Sequence, residues 1–309
     1  MMKHSRSLPV VVLVLTLILS ACVQRLHEGP ESGQAGELTF LCDAEMRALI
    51  DVPTALYKKS VPKATINLVD SSARGAMSEL FAGKVRGVIV ARDYLQDERE
   101  AITSRRAGEE FPRSKLATDA LVLVVSRAFP TDTVHVNQVT AWLTGAKQSP
   151  PIPGATGSKP PTFIVPGVNS SLYANLVNVV LKGKQPSSNI SAIPSRDEML
   201  TKVRASTSLI GVGYLSQFAK DSTVKMLKIG FSDSAMQHVR PKPVHQGYVI
   251  QDLYPYPVPI YIYLQKTYGQ NDMALGYTNF LARDGAAQRS FLDAGIVPDY
   301  ARIELNVSE

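Results

Sequence analysis

The chain has 309 residues, 45% of them hydrophobic, and 33 Lys and Arg against 27 Asp and Glu give a formal net charge of +6. So mild an excess, with no basic stripe interleaved with aromatics, excludes a nucleic-acid footprint but permits attraction of small anions. With two cysteines in all, one of them at the end of an N-terminal leader, no internal disulfide is expected, and the fold must rest on its core.

Residues 1–21 read as that leader. Lys3 and Arg6 form a basic start, Leu8 to Leu19 an apolar stretch too short for a permanent span, and Leu19-Ser20-Ala21-Cys22 a small-residue close. Ending on Cys22, the segment resembles a bacterial lipoprotein signal, in which that cysteine carries lipid. The plainer alternatives are an uncleaved anchor or an ordinary secretory peptide. Residues 22–36 (CVQRLHEGPESGQAG) are polar and aperiodic, a tether. The remainder of the chain exceeds the ~250 residues one core usually reaches, so two lobes are expected.

Strand and helix patterns then alternate, which predicts α/β architecture. Strands are expected at Glu37 to Leu41, Ala64 to Val69 and Val85 to Ala91. Between them lie helices at Ala44 to Lys58, which Pro53 should kink or restart, and at Ala76 to Ala82, closed by Gly83. A charged surface helix spans Asp93 to Arg106. From Leu116 runs a strand whose section Thr118 to Ser126 is almost wholly apolar, hence buried on both faces. The carboxylate of Asp119 there needs a partner, and this strand is expected to cross between the lobes.

Beyond it come a helix at Val136 to Leu143 with Trp142 as core anchor, a Pro/Gly loop at Ser149 to Pro161, and a strand at Thr162 to Val165. The loop's GATGSK has the wrong spacing for a phosphate loop, and Pro160-Pro161 forbid the helix such a loop must enter. Helices at Ser170 to Leu181 and Ser195 to Arg204 come next, with strands at Ser208 to Tyr214, Val224 to Ile229 and Val258 to Leu264. Helices at Met273 to Arg283 and Ala286 to Ala294, and an extended Ala301 to Leu305, end the chain.

In open α/β sheets ligands collect beyond the carboxyl ends of strands. Those exits read Cys42-Asp43-Ala44, Asp70-Ser71-Ser72-Ala73-Arg74-Gly75, Ala91-Arg92-Asp93 and Gly167-Val168-Asn169-Ser170-Ser171. Short donors at a helix start suit an anion, and they also suit plain capping. For Asp70-Ser71-Ser72 paired with Asn169-Ser170-Ser171 the two readings stand level. Catalytic readings fare worse. The histidines lack metal-ligand spacing, no Gly-x-Ser-x-Gly elbow exists, and Glu109-Glu110 sit in a charged, solvated segment. No enzyme and no cofactor is expected.

Several stretches carry a family resemblance. Glu37 to Val69 with residues 71–100 (SSARGAMSELFAGKVRGVIVARDYLQDERE), 115–126 (KLATDALVLVVS), 163–177 (FIVPGVNSSLYANLV), 208–216, 254–264 and 286–298 resemble, in order, the substrate-binding proteins of phosphate ABC transporters, in a divergent lipoprotein branch. The resemblance implies a type II periplasmic-binding-protein fold with the second lobe inserted in the first. Residues 37–117 and 244–309 would form lobe I, and 118–243 lobe II. It implies a monomeric extracytoplasmic receptor on the membrane surface, held through its lipid anchor, that binds inorganic phosphate or a similar oxyanion for an ABC permease. A sensor or interaction module without transport is the alternative.

The family's first-lobe turn falls on Asp70, Ser71, Ser72 and Gly75, and its Ser-Arg exit on Ala91-Arg92. Its second-lobe Gly-Ser-Gly-Thr turn falls on Val168-Asn169-Ser170-Ser171, which lacks both glycines. The arginine three residues before that turn is replaced by Val165. The implied ligand set is Asp70, Ser71, Ser72, Arg92, Asp119, Asn169, Ser170 and Ser171. Arg92 or Arg74 would substitute for the missing cation. A buried Asp70 or Asp119 would accept the proton that distinguishes hydrogen phosphate from sulfate. The plainer roles are capping for Asp70, bridging the lobes for Asp119 and solvation for Arg74.

Overall fold

Alternating burial sets the first strand: in β1 (Gly36–Asp43) Leu38, Phe40 and Cys42 are wholly buried between more exposed neighbours. The structure, a computed structural model, describes residues 35–104, 110–146, 149–155, 157, 159–187, 190–193, 195–265 and 272–300. The leader, Cys22, nearly all of the tether, Glu109 and the extended piece at Ala301 to Leu305 lie outside the described residues.

β1 pairs in parallel with β2 (Ala64–Ser71) on one side and β3 (Gly87–Val90) on the other. Gly87 opens β3 because any Cβ there would overlap the Phe40 ring. After a 3-10 turn at Ala44–Met46 comes α1 (Arg47–Ser60), which buries Ile50, Pro53 and Tyr57. The helix is continuous through Pro53, so it does not restart there. The packing of its inner face outweighs the one backbone donor that proline lacks. α2 (Ala73–Phe81) starts at Ser72, whose Oγ accepts the Gly75 N–H at 3.2 Å, and Gly83 follows it at φ +71°. α3 (Gln96–Thr103) is shorter than the charged stretch suggested.

β4 (Arg113–Ser126) has 14 residues and so reaches roughly 45 Å. From Asp119 onward every residue is buried. Its first part pairs antiparallel with β12 (Pro257–Leu264), ending at Ala120↔Pro257. Its second part pairs antiparallel with β8 (Leu209–Tyr214), beginning at Leu121↔Tyr214. One strand thus belongs to two sheet halves and changes partner between Ala120 and Leu121. The path of neighbours is β2-β1-β3-β12-β4-β8-β6-β7, where β6 (Thr162–Pro166) lies parallel to both β7 (Ile190–Ile193) and β8.

Helices cover both halves. α4 (Val136–Thr144) buries Trp142, whose indole N–H donates to the Pro150 carbonyl at 2.5 Å. α5 (Ser171–Asn175) runs on into a π-helical turn at Leu176–Val180, and α6 (Arg196–Arg204) packs beside β8. The stretch Val224 to Ile229 is two strands, not one. β9 (Val224–Met226) pairs the end of β4, whereas β10 (Lys228–Ser232) joins a separate sheet with β5 (Thr133–His135) and β11 (His238–Lys242). α7 (Leu215–Phe218) follows β8, and α8 (Gln246–Ile250) precedes β12. The last helices, α9 (Met273–Arg283) and α10 (Gly285–Asp293), pack on α1, and β13 (Val297–Pro298) closes onto β4.

Candidate functional site

Parallel pairing brings the carboxyl ends of β1, β2 and β3 together, and the exit of β3 meets the chain after β6 where the Ala91 N–H reaches Ser171. From β6 the chain turns at Gly167, φ +42°, a backbone conformation that strains a residue with a Cβ, and enters α5 through Asn169 and Ser170. Ser170 caps that helix. Its Oγ accepts the Tyr173 N–H at 3.1 Å and lies 2.8 and 2.7 Å from the Pro166 and Gly167 carbonyls.

The two serine-rich turns meet. The Arg74 N–H, in the first turn of α2, donates to the Asn169 carbonyl at 3.1 Å. Deeper in, the Ser171 N–H donates to Asp43 Oδ2 at 3.1 Å, and the Ala91 N–H donates to Ser171 Oγ at 3.2 Å. Asn175 Nδ2 completes the seam, donating to the Ala91 carbonyl at 2.6 Å and to the Tyr214 hydroxyl at 3.2 Å. Asp43, Ser171 and Asn175 are all buried. Burial pushes the Asp43 carboxyl up to about 6, although its hydrogen bonds to Ser171 act the other way. A carboxylate of the protein therefore sits on the second-lobe turn, where the sequence places an anion.

Beside this seam lies a cavity of about 270 Å³. Arg74, Arg92, Asn169 and Ser170 are among its polar lining residues, and Leu95, Val168, Ala174 and Val177 among its apolar ones. The two arginines differ. Arg92 is 2% exposed and is gripped by both oxygens of the buried Glu98, at 2.6 and 2.7 Å. Glu98 also accepts the Leu95 N–H at 2.9 Å, capping α3. Arg92 is thereby neutralised in place. Arg74 pairs with Asp97 at 2.6 Å, but both side chains are about half exposed. That pair raises the arginine and holds the Asp97 carboxyl below its usual range. An exposed pair of this kind contributes only ~0–1 kcal/mol, so Arg74 can exchange partners cheaply.

Other expected residues sit elsewhere. Asp70 is not buried: its side chain is 59% exposed and pairs with Arg47 at 2.9 Å, because β2 is an edge strand. Ser72 caps α2, and Ser71 Oγ donates to the Ser72 carbonyl at 3.2 Å. Asp119 is wholly buried, but at the partner change of β4 rather than on the cavity wall. Its Oδ1 accepts the Ala120 N–H at 2.7 Å and the Ser216 N–H at 3.2 Å. Burial pushes this carboxyl up to about 6 as well. Val165 is fully buried in β6, so no cation approaches from that position.

The sequence reading missed Glu98, Asn175 and Tyr214 and gave Asp43 no role. Asp43 was open to the same strand-exit rule that selected Asp70 and Arg92. The pairing of Arg92 with Glu98 carried no signal, because a six-residue separation spanning a loop has no periodicity. Among the described residues no group of three or more His, Cys, Asp and Glu could hold a metal ion. The Cys42 thiol is buried and pushed up by desolvation, which makes it a packing residue rather than a nucleophile.

A family model described as a PBP superfamily domain matches residues 42–284. No curated protein matches the chain by sequence. Among solved structures, the chain is similar to a phosphate ABC transporter substrate-binding protein with bound phosphate from Clostridium perfringens. That match has a TM-score of 0.67 and 12% identity, and covers 85% of this chain and 99% of that one. An ABC-type phosphate transport receptor from Vibrio cholerae gives 0.64 and 15% over 85% and 99%. PstS from Borrelia burgdorferi gives 0.54 and 16% over 85% and 98%. At such identities the likeness is one of fold, the two-lobed type II periplasmic-binding-protein architecture.

Proposed function

The chain belongs to the PBP superfamily, and we propose that it is an extracytoplasmic receptor that binds a small oxyanion of the phosphate class and delivers it to an ABC permease. One observation carries the reading. The turns after β2 and β6, which as a pair stand level between an anion site and plain capping in the sequence, meet at the Arg74–Asn169 hydrogen bond beside a cavity that holds two arginines. Arg74 is the cation free to serve the ligand, because leaving Asp97 costs little, while Arg92 with Glu98 forms the fixed wall. Asn169, Ser170 and Ser171 supply neutral donors once the seam opens. Charge-assisted hydrogen bonds to an arginine and several such donors suffice to hold a dehydrated anion.

The lobes are assigned as 37–117 with 244–309 and as 118–243. The change of partner along β4 between Ala120 and Leu121 supports that division. The receptor is a monomer without catalytic activity, tethered through lipid on Cys22. A second reading, an anchored sensor that does not transport, draws on a different observation. The Arg74 and Ser171 N–H groups, one from each turn, already have acceptors within the protein, the Asn169 carbonyl and Asp43.

Isothermal titration of the ligand-stripped mature chain tests the first reading. Phosphate should give saturable heat, and Arg74→Gln should weaken it ~10-fold or more with little change in melting temperature, given a charge-assisted bond of ~1.5–3 kcal/mol. Absence of heat with phosphate, sulfate, arsenate and molybdate would sink the binding claim. Transport separates the two readings: loss of uptake on deleting the gene favours the first, and unchanged uptake favours the sensor.

A further inference from the structure

Hydrogen bonds between the two assigned lobes bury a carboxylate that has no cation. Asp43, at the end of β1, is 1% exposed, and from the second lobe Ser171 of α5 reaches it with an N–H 3.1 Å from Oδ2. The Ala91 N–H to Ser171 Oγ and Asn175 Nδ2 to the Ala91 carbonyl cross between the lobes beside it. Gln217 Nε2, 2.9 Å from Glu45 Oε2, crosses there as well. The donors that the second lobe brings to this seam are all neutral, and an ion buried among neutral groups alone is costly.

The charged and titratable groups around Asp43 do not relieve that cost. On its own strand the Cys42 thiol is pushed up by burial and by the Asp43 charge, and is neutral. The Tyr214 hydroxyl of β8 is likewise pushed up, by burial first and by Asp43 next. Arg47 of α1 is held by Asp51 and Asp70, and Arg92 at the exit of β3 by Glu98. Burial is the largest cause of the rise of the Asp43 carboxyl from 3.8 to about 6; the Ser171 hydrogen bonds act against it, and Glu45 adds to it. Part of the cover comes from the second lobe, so parting the lobes returns water to this carboxylate.

Resting on the two-lobed reading, we propose that Asp43 makes lobe closure proton-linked: the ligand-free molecule closes as Asp43 takes up a proton and opens when the carboxylate ionises and regains water. The closed form binds that proton more tightly than the open one. Closure is therefore favoured at low pH and loses favour as pH rises through the window from 3.8 to about 6. A window of that width makes closing up to ~100-fold more favourable below it than above it. Small-angle scattering of the ligand-stripped chain from about pH 4 to about pH 8 reads the lobes directly. The radius of gyration of the parent should rise with pH. Asp43→Asn, whose neutral amide oxygen can still accept the Ser171 N–H, should stay compact throughout. Asp119→Asn, altered at the partner change of β4 rather than in the seam, should open as the parent does. Thermal melts at both ends of the range establish that each form is folded. A parent radius independent of pH, or an opening that persists in Asp43→Asn, would overturn the proposal. Phosphate titration of the same samples judges the oxyanion reading separately. Opening with pH in a protein that takes up no anion would leave the role of Asp43 standing, and anion binding without such opening would leave only the oxyanion reading.

Discussion

Asp119→Asn should stabilise the protein at neutral pH and flatten part of its pH dependence. The Asp119 carboxyl is fully buried, and one of its oxygens, Oδ2, has no hydrogen-bond partner among the described residues. Desolvation is the largest cause of its rise from 3.8, the unperturbed value, to about 6, and hydrogen bonding from Ser216 and Ala120 opposes that rise. At ~1.36 kcal/mol per tenfold change in proton affinity, the ionised side chain costs about 3 kcal/mol in the folded state at pH 7. The direction follows from linkage. Between 3.8 and about 6 the folded protein binds more protons than the unfolded chain, so stability is highest below that window and falls as pH rises through it. Asparagine mimics the protonated acid, because its amide oxygen can accept the Ala120 and Ser216 N–H groups that Oδ1 now accepts. The variant should match the parent within ~1 kcal/mol at pH 4 and exceed it by ~2–3 kcal/mol at pH 7. Asp43, also pushed up to about 6 by burial, remains, so the slope should shrink by about half rather than vanish. Urea unfolding at intervals from pH 4 to 8 reads this directly. A variant less stable than the parent at pH 7, or one with an unchanged pH profile, would refute the reasoning. Its choice between phosphate and sulfate should not move, since Asp119 does not line the cavity.

Arg92→Ala should cost ~3–5 kcal/mol by leaving Glu98 buried without its partner, whereas Arg92→Met with Glu98→Leu should recover most of that loss in the same denaturation assay. Asp97→Asn should raise anion affinity severalfold by releasing Arg74, with a melting temperature close to that of the parent; a fall in affinity would count against Arg74 as the exchanging cation. Asn175→Ala should cost ~1–3 kcal/mol, because the Ala91 carbonyl and Tyr214 hydroxyl lose their shared donor, and scattering should show a more open ligand-free molecule. Gly87→Ala should destabilise by ~1–3 kcal/mol, since the new methyl overlaps the Phe40 ring in a closely packed sheet.

By itself the sequence determined the class of fold and the course of its central strand. Alternating strand and helix patterns specify α/β layers, and the apolar run ending in Ser126 specifies a strand buried on both faces, because each signal is local and periodic. The serine turns were also legible, since strand exits and cap residues are neighbours in the chain. Tertiary structure decided which of those residues face one another. Asp70 and Asp43 close successive strands with the same chemistry, yet β2 lies at the sheet edge and leaves Asp70 in solvent beside Arg47, while β1 lies inside and carries Asp43 onto the second lobe. Arg92 and Arg74 are both strand-exit cations, and only their carboxylate partners on α3, one buried and one exposed, separate a fixed wall from an exchangeable ligand group. Burial and pairing across the sheet are long-range properties with no period in the sequence, and here they decide the chemistry of each charge.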